Sequence, residues 1–432
     1  MKQTTNYGVT ERLLIFLIGA VQFVNILDFM MVMPLGPDFA RALDIPVSKL
    51  GLVGGSYTLA AAVAGLVGSV FLDRFDRRSA LALAMGGLAL GTFAGGFAIG
   101  LRSLLTARVL AGLFGGPATS LSLSIIADAV PVQRRGRALG AVMGAFSMAQ
   151  VLGVPASLKV AEWAGWQAPF FCVAGLGLLI TAGTITLLPP MRDHLLAVPA
   201  GSAPRPPRAP LFRRTVVVSY AMTAVAMGAG FLLIPNLSAY VQFNLGYPRS
   251  SLWKLYGAGG VLSFITLRVV GKLVDRFGSF RVGTVGSLLM FFAVWVIFID
   301  VPPHPPVLLL FLFLLLGLSV RNIAYSTLTS KVPGPAERAR FMSFQSAVQH
   351  LASAAGAIVS SFVLAQNSAG RLLHMPRLGV LSLVLVASFP ALLWVVERAV
   401  NRTASSPSLP VPQTLVESSP PPDGMAPPLK KV

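Results

Sequence analysis

The sequence predicts an all-α membrane protein of twelve transmembrane helices, arranged as two pseudo-symmetric six-helix bundles. Three observations lead there. Of 432 residues, 55% are hydrophobic and only 11% charged, with a mean hydropathy of +0.75; a typical soluble domain is about 25% charged. The charges sit in clusters separated by apolar runs of about 20 residues or more, the helix length that crosses a hydrocarbon core about 30 Å thick. Finally, a short charged motif in the first half, Asp73-Arg74-Phe75, returns in the second as Asp275-Arg276-Phe277.

The runs place spans at 13–36, 50–72, 80–100, 103–127, 138–160, 167–189, 215–238, 252–273, 281–300, 307–330, 341–364 and 376–396. Basic residues punctuate them in order. Lys2 and Arg12 precede the first span, and Arg41 and Lys49 separate it from the second. Arg74, Arg77 and Arg78 end the second, Arg102 the third, and Arg134, Arg135 and Arg137 the fourth. Lys159 marks the end of the fifth and Arg192 that of the sixth. In the second half Arg249, Lys254, Lys272, Arg276, Arg281, Lys331, Arg338, Arg340, Arg371, Arg377, Arg398 and Arg402 do the same work. The chain thus divides into a first bundle (1–190), a Pro-rich cytoplasmic linker (191–214, with "PAGSAPRPPRAP"), a second bundle (215–400) and a tail (401–432) expected to be disordered.

With both termini cytoplasmic, that side carries 23 Lys and Arg and the other side 8. Short loops rich in Lys and Arg stay inside, so the sequence predicts this orientation in the cytoplasmic membrane. The same rule accounts for the net charge of +19 without nucleic acid. The first apolar run is too long for a cleavable signal and contains Asp28. A single cysteine, Cys172, cannot form an internal disulfide.

A shift of 202 positions lays Asp73 on Asp275 and Pro46 on Pro248, so the halves form a parallel repeat. In transporters such a repeat places the substrate between the halves near mid-membrane.

At this point the motifs resemble the major facilitator superfamily over nearly the whole chain. "SVFLDRFDRR" is similar to its loop 2–3 signature, with Ser69 and Asp76 where the pattern has glycine; the second copy keeps Gly271 and Gly278. "RVLAGLFGG" from Arg108 resembles the fourth-span motif, and "VLGVPASL" a reduced fifth-span antiporter motif retaining Gly153 and Pro155. "NILDFMMVMPLGP" is similar to the first span of the twelve-helix drug:proton antiporter branch, near the arabinose-efflux-type permeases. The resemblance implies a conformational latch. Asp73, Arg74, Arg77 and Arg78 would face the start of the eleventh span around Phe341, and Asp275 and Arg276 the start of the fifth, only while the cytoplasmic side is closed. A plain positive-inside anchor explains the arginines but neither aspartate.

Asp28 is the only charge within the first span, and a mid-span Asp costs about 2.5–3.5 kcal/mol on insertion scales. Arg108 lies at a compatible depth in the fourth span, so an ion pair is feasible, and the pair is the candidate for proton coupling. A static pair joining two helices is the alternative. Gln22 and Asn25 extend a polar stripe from Asp28. With Asn236, Tyr240, Asn322, Gln345, Gln349 and His350 they are the candidates for lining a substrate cavity. Arg321 is buried deeply enough to need a partner that the sequence does not supply.

The function expected is proton-coupled export of small organic molecules by alternating access. A sugar or metabolite uptake permease of the same fold is the alternative. HExxH, GxSxG and P-loop patterns are absent, so neither an enzyme nor an ATP-driven pump is expected. The partners expected are substrate, protons and lipid around a monomer, with no cofactor, metal or catalytic residue.

Overall fold

The computed structural model describes residues 10–192, 195, 213–334 and 337–405, excluding the side chains at 69–71, 73, 132, 338–339 and 403–405. Most of the predicted linker and the end of the tail therefore lie outside the described residues.

Among the described residues, twelve long helices cross the molecule: α1 (Glu11–Val32), α2 (Leu50–Phe71), α3 (Arg77–Gly95), α4 (Leu101–Ala129), α5 (Gln133–Ala164) and α6 (Ala168–Leu187) in the first half. The second half has α7 (Arg214–Asn244), α8 (Leu252–Phe277), α9 (Ser279–Phe298), α10 (Val307–Thr329), α11 (Arg338–Val363) and α12 (Met375–Ser405). Eleven are apolar and long enough to span by composition alone; α3 opens on Arg77 and Arg78, which lower its hydropathy. Phe16, Leu83, Phe292 and Phe362 stand exposed on the outside of the bundles, where bilayer replaces water.

The repeat is visible in the helix starts. Leu50 and Leu252 open α2 and α8, and Arg77 and Ser279 open α3 and α9, each pair at the 202-residue shift. Pro46 and Pro248 each precede a one-turn 3₁₀ segment, where fixed φ and a missing N–H suit a helix entry.

Some boundaries differ from the hydropathy. Pro34 and Pro37 end the first span early, and the chain turns into a short helix, Gly36–Ala42. The twelfth helix runs on through Glu397, Arg398 and Arg402, because polar residues need not end a helix that has left the apolar layer. A two-residue hairpin, Ala365–Gln366 with Leu372–Leu373, joins α11 to α12.

The contacts between halves cluster at the end of the bundle opposite the termini. Arg249 grips Asp38 at 2.6 Å and also donates to the Leu158 carbonyl at 3.3 Å. Lys49 Nζ donates to the Ser361 carbonyl (3.1 Å), Val47 N to Gln366 Oε1 (2.5 Å), and Ser238 Oγ to the Pro34 carbonyl (2.9 Å). Glycines permit the helices to touch: α2 meets α11 at Gly51 and Gly55, and α8 meets α5 at Gly260 beside the Gln150 carbonyl. The structure is therefore closed at that end.

Candidate functional site

Asp28 faces the interior of the first bundle and is fully buried. Its carboxylate accepts from Arg108 Nη1 (3.0 Å) and Nη2 (2.7 Å), and from Thr92 Oγ1 (2.7 Å). Arg108 is 1% exposed, and its guanidinium lies over the Tyr57 ring, 4.8 Å from the centroid. Helices α1, α2, α3 and α4 thus each contribute one group to a closed polar cluster. A bidentate Arg–carboxylate pair is the geometry in which desolvated charges best offset their loss of water.

The cluster continues toward the terminal end. Tyr57 Oη donates to Asn25 Oδ1 (2.8 Å), and Asn25 Nδ2 donates to the Gly115 carbonyl (3.0 Å) and Thr119 Oγ1 (2.7 Å). Gln22, one turn before, is buried with its Oε1 unpartnered among the described residues. On the other side of Tyr57, Phe29 stacks on its ring (5.4 Å) and on Phe231 of the second half (6.2 Å). The charged pair is one layer of aromatic rings away from the boundary between halves.

In this conformation, clasped at the end opposite the termini, the loop 2–3 signature makes its contacts within its own half. Arg77 Nε donates to Asp128 Oδ2 (3.2 Å) at the end of α4, and Arg78 Nη1 to the Leu188 carbonyl (3.2 Å) beyond α6. These partners belong to the same half. Phe341, the expected neighbour, is buried against Tyr220 within the second half (5.2 Å). Arg74, Asp275 and Arg276 are exposed, and the Asp73 side chain lies outside the described residues. The physical reason is the conformation: with the opposite end clasped, the terminal ends of the two halves are the ones free to part.

Asp76, where the signature has glycine, has a local task. Its side chain caps α3, accepting from Arg78 N (2.8 Å) and Ser79 N (3.4 Å), and it pairs with Arg192 Nε (2.9 Å). Burial pulls its pKa up, but the Arg192 contact and the backbone N–H groups of Met191, Ser79 and Arg78 outweigh this and hold the carboxyl below its ordinary range. In the second copy the equivalent position is Gly278, at φ +86°. There Glu397 from α12 supplies the anion, accepting from Ser279 N (2.7 Å) and Phe280 N (3.2 Å).

Gly153 closes a π-helical turn, Ala149–Gly153, whose freed register accommodates Pro155 two residues on. A side chain at Gly153 would strike Leu27 of α1, and Pro155 packs against Gly257 of α8.

The remaining cavity candidates divide. Asn236 Nδ2 donates to Ser360 Oγ (2.8 Å) and Tyr240 Oη to the Ile297 carbonyl (2.8 Å); both are buried and tie α7 to α11 and α9. Gln345 Nε2 donates to Thr223 Oγ1 between α11 and α7. Gln349 is exposed and His350 half-buried on the terminal half of α11, and Asn322 is half-buried in α10. Arg321, fully buried, donates Nη2 to the Ala226 carbonyl (2.7 Å) and lies over the Phe389 ring (5.4 Å), with Nε and Nη1 unpartnered among the described residues. Thr92, Tyr57 and Glu397 were not singled out by the sequence; an isolated hydroxyl or phenol in an apolar run gives no charge signal, and Glu397 reads as a span end.

Two parallel six-helix repeats, closed against each other at one end, with a buried charged cluster inside the first, have the architecture of a secondary transporter. The chain belongs to the Major Facilitator Superfamily, whose family model matches residues 18–357. It is 28% identical to a chloramphenicol resistance protein of Streptomyces lividans over 367 residues, covering 82% of this chain and 90% of that protein. It is 26% identical to the inner membrane transport protein YdhP of Escherichia coli (strain K12) over 250 residues, 56% of this chain and 62% of that one. Among solved structures, a bacterial homologue of the human lysosomal transporter Spinster, inward-facing and occupied, superposes with a TM-score of 0.74 at 17% identity, covering 91% of this chain and 98% of that one. A D-xylose–proton symporter gives 0.70 at 18%, covering 88% and 96%. At these identities the likeness is one of fold.

Proposed function

We propose that the protein is a proton-coupled exporter of small organic molecules working by alternating access, with both termini cytoplasmic. The observation that carries this reading is the sealed Asp28–Arg108 pair. A carboxylate held without exposed surface by a bidentate guanidinium is a group whose charge depends on that partner staying in place. When the halves rock, a small displacement of Arg108 leaves Asp28 needing either water or a proton, and water reaches it from one side at a time. The proton bound on one face is then released on the other.

The excess of Lys and Arg on the terminal side supports the cytoplasmic placement of that end. In this orientation the Asp38–Arg249 clasp closes the outside, and the cleft opens inward between α5, α8, α2 and α11. Gln349, His350 and Asn322 face the substrate there, and Arg74, Arg77 and Arg78 with Asp73, and Asp275 with Arg276, re-form as the latch when the inside closes. The relative named for chloramphenicol resistance supports efflux over uptake.

The test is a growth and efflux screen of expressing cells against a compound panel beginning with chloramphenicol, comparing wild type with Asp28→Asn. Wild type should lower accumulation of at least one compound and an uncoupler should abolish the effect. Wild-type accumulation that rises with expression and falls with the uncoupler would identify an uptake permease instead.

A further inference from the structure

The two copies of the signature loop are built alike but finished differently, and the difference leaves a groove. In the first half the chain leaving α6 folds back beneath the loop. Met191, 1% exposed, donates its N–H to Asp76 (3.4 Å), its carbonyl accepts from Arg77 N (3.2 Å), and Arg192 pairs with Asp76. In the second half α12 runs straight on to Ser405, and no chain among the described residues folds back under Gly278. Glu397 takes over the capping, and beside it lies an open surface groove of about 820 Å³.

Its lining is selective. Arg281, Arg398 and Arg402 supply three positive charges against the single carboxylate of Glu397, which is already occupied by two backbone N–H groups. The Arg281 side chain makes no hydrogen bond or ion pair among the described residues. Trp394 (47% exposed) and Phe277 (45% exposed) form the wall that faces the bilayer, with Arg398 over the Trp394 ring at 5.0 Å. Tryptophan at such a level marks the membrane–water interface, with an apolar body toward the chains and a polar edge toward the headgroups. Arginine's planar fork matches phosphate oxygens bidentately.

We infer that this groove binds the phosphate diester headgroup of an anionic phospholipid from the leaflet on the terminal side. Arg281, Arg398 and Arg402 hold the phosphate, and Trp394 and Phe277 seat the glycerol and upper acyl chains. The lipid thereby fills the place that Met191 and Arg192 fill in the first half, and joins the α8–α9 loop to α12. Residues 406–432 are the rival occupant, but their two acidic side chains, Glu417 and Asp423, are matched by Lys430 and Lys431.

The experiment is native mass spectrometry of the full-length protein titrated with phosphatidylglycerol or with phosphatidylcholine of the same acyl chains. Wild type should retain phosphatidylglycerol in preference. Arg281→Gln with Arg398→Gln should weaken that retention about tenfold or more and phosphatidylcholine retention by less, so that the preference between the lipids shrinks, as the loss of two interfacial cations requires. Arg371→Gln, an exposed arginine at the opposite end, should change neither. Arg398→Glu is the second variant and should lower retention further while the lipid-free melting temperature holds. Retention equal in the double variant and wild type, or no preference between the lipids, would overturn the inference. Displacement of the lipid by millimolar inorganic phosphate would indicate a free-anion site, and increased retention on removing residues 406–432 would identify the tail as occupant; either result also refutes it.

Discussion

Asp28 owes its position to Arg108, and the reverse holds less strictly. The carboxylate receives three hydrogen bonds, whereas the guanidinium also leans on the Tyr57 ring and keeps Nε unpartnered. Removing Arg108 strands a buried negative charge. Arg108→Ala should therefore destabilise the protein by about 3–5 kcal/mol, seen as a lower melting temperature in detergent, while Asp28→Asn should cost visibly less. Asp76 makes a smaller, pH-dependent contribution. Its folded pKa lies below the ordinary value, so its stabilisation is present at neutral pH and fades as pH falls through about 4 toward the folded pKa. Asp76→Ala should cost about 1 kcal/mol at pH 7, and the gap in melting temperature from wild type should close on acidification. At this scale the sequence exposed Asp28 and Arg108 because a charge in hydrocarbon demands a partner. It could not expose Tyr57 or Thr92, whose types are ordinary in an apolar helix, and it did not yield a charged partner for Arg321, which rests on a carbonyl and a ring.

Helices touch where side chains are absent. A Cβ at Gly51 would run into the Ala357 carbonyl and Ser360 Oγ, so α2 and α11 approach at the end opposite the termini only because residue 51 is glycine. Gly51→Val should push them apart and shift the population toward the outward-open state. In a Cys172→Ser background, a cysteine placed at Ser361 should then react faster with an impermeant thiol reagent applied from outside; unchanged reactivity would show that the contact does not hold the end closed. The helices themselves were readable from hydropathy, and their two-fold relation from one charged triplet. The facing of polar residues was not. Asn236 and Tyr240 have the spacing and type of cavity residues yet bond to α11 and α9, because helical period gives a direction and not what lies in it.

Across the whole molecule, alternating access requires that clasps at one end give way as those at the other form. Asp38–Arg249 is the visible clasp, half-buried and bidentate, reinforced by the Leu158 carbonyl. Arg249→Ala should favour the outward-open state, reported by the same thiol assay, and exchanging the charges as Asp38→Arg with Arg249→Asp should restore part of the closure. The proposed loop 2–3 latch belongs to the other state: a sequence carries the contacts of every state, and a single conformation displays one set. In the proposed mechanism Asp28 links the two sets, its environment changing as the halves move. Transport by Asp28→Asn in proteoliposomes, measured both as substrate counterflow and as uphill movement driven by a pH gradient, tests that link most directly. Counterflow should persist while gradient-driven accumulation disappears; accumulation equal to wild type, with the same dependence on the gradient, would contradict the account.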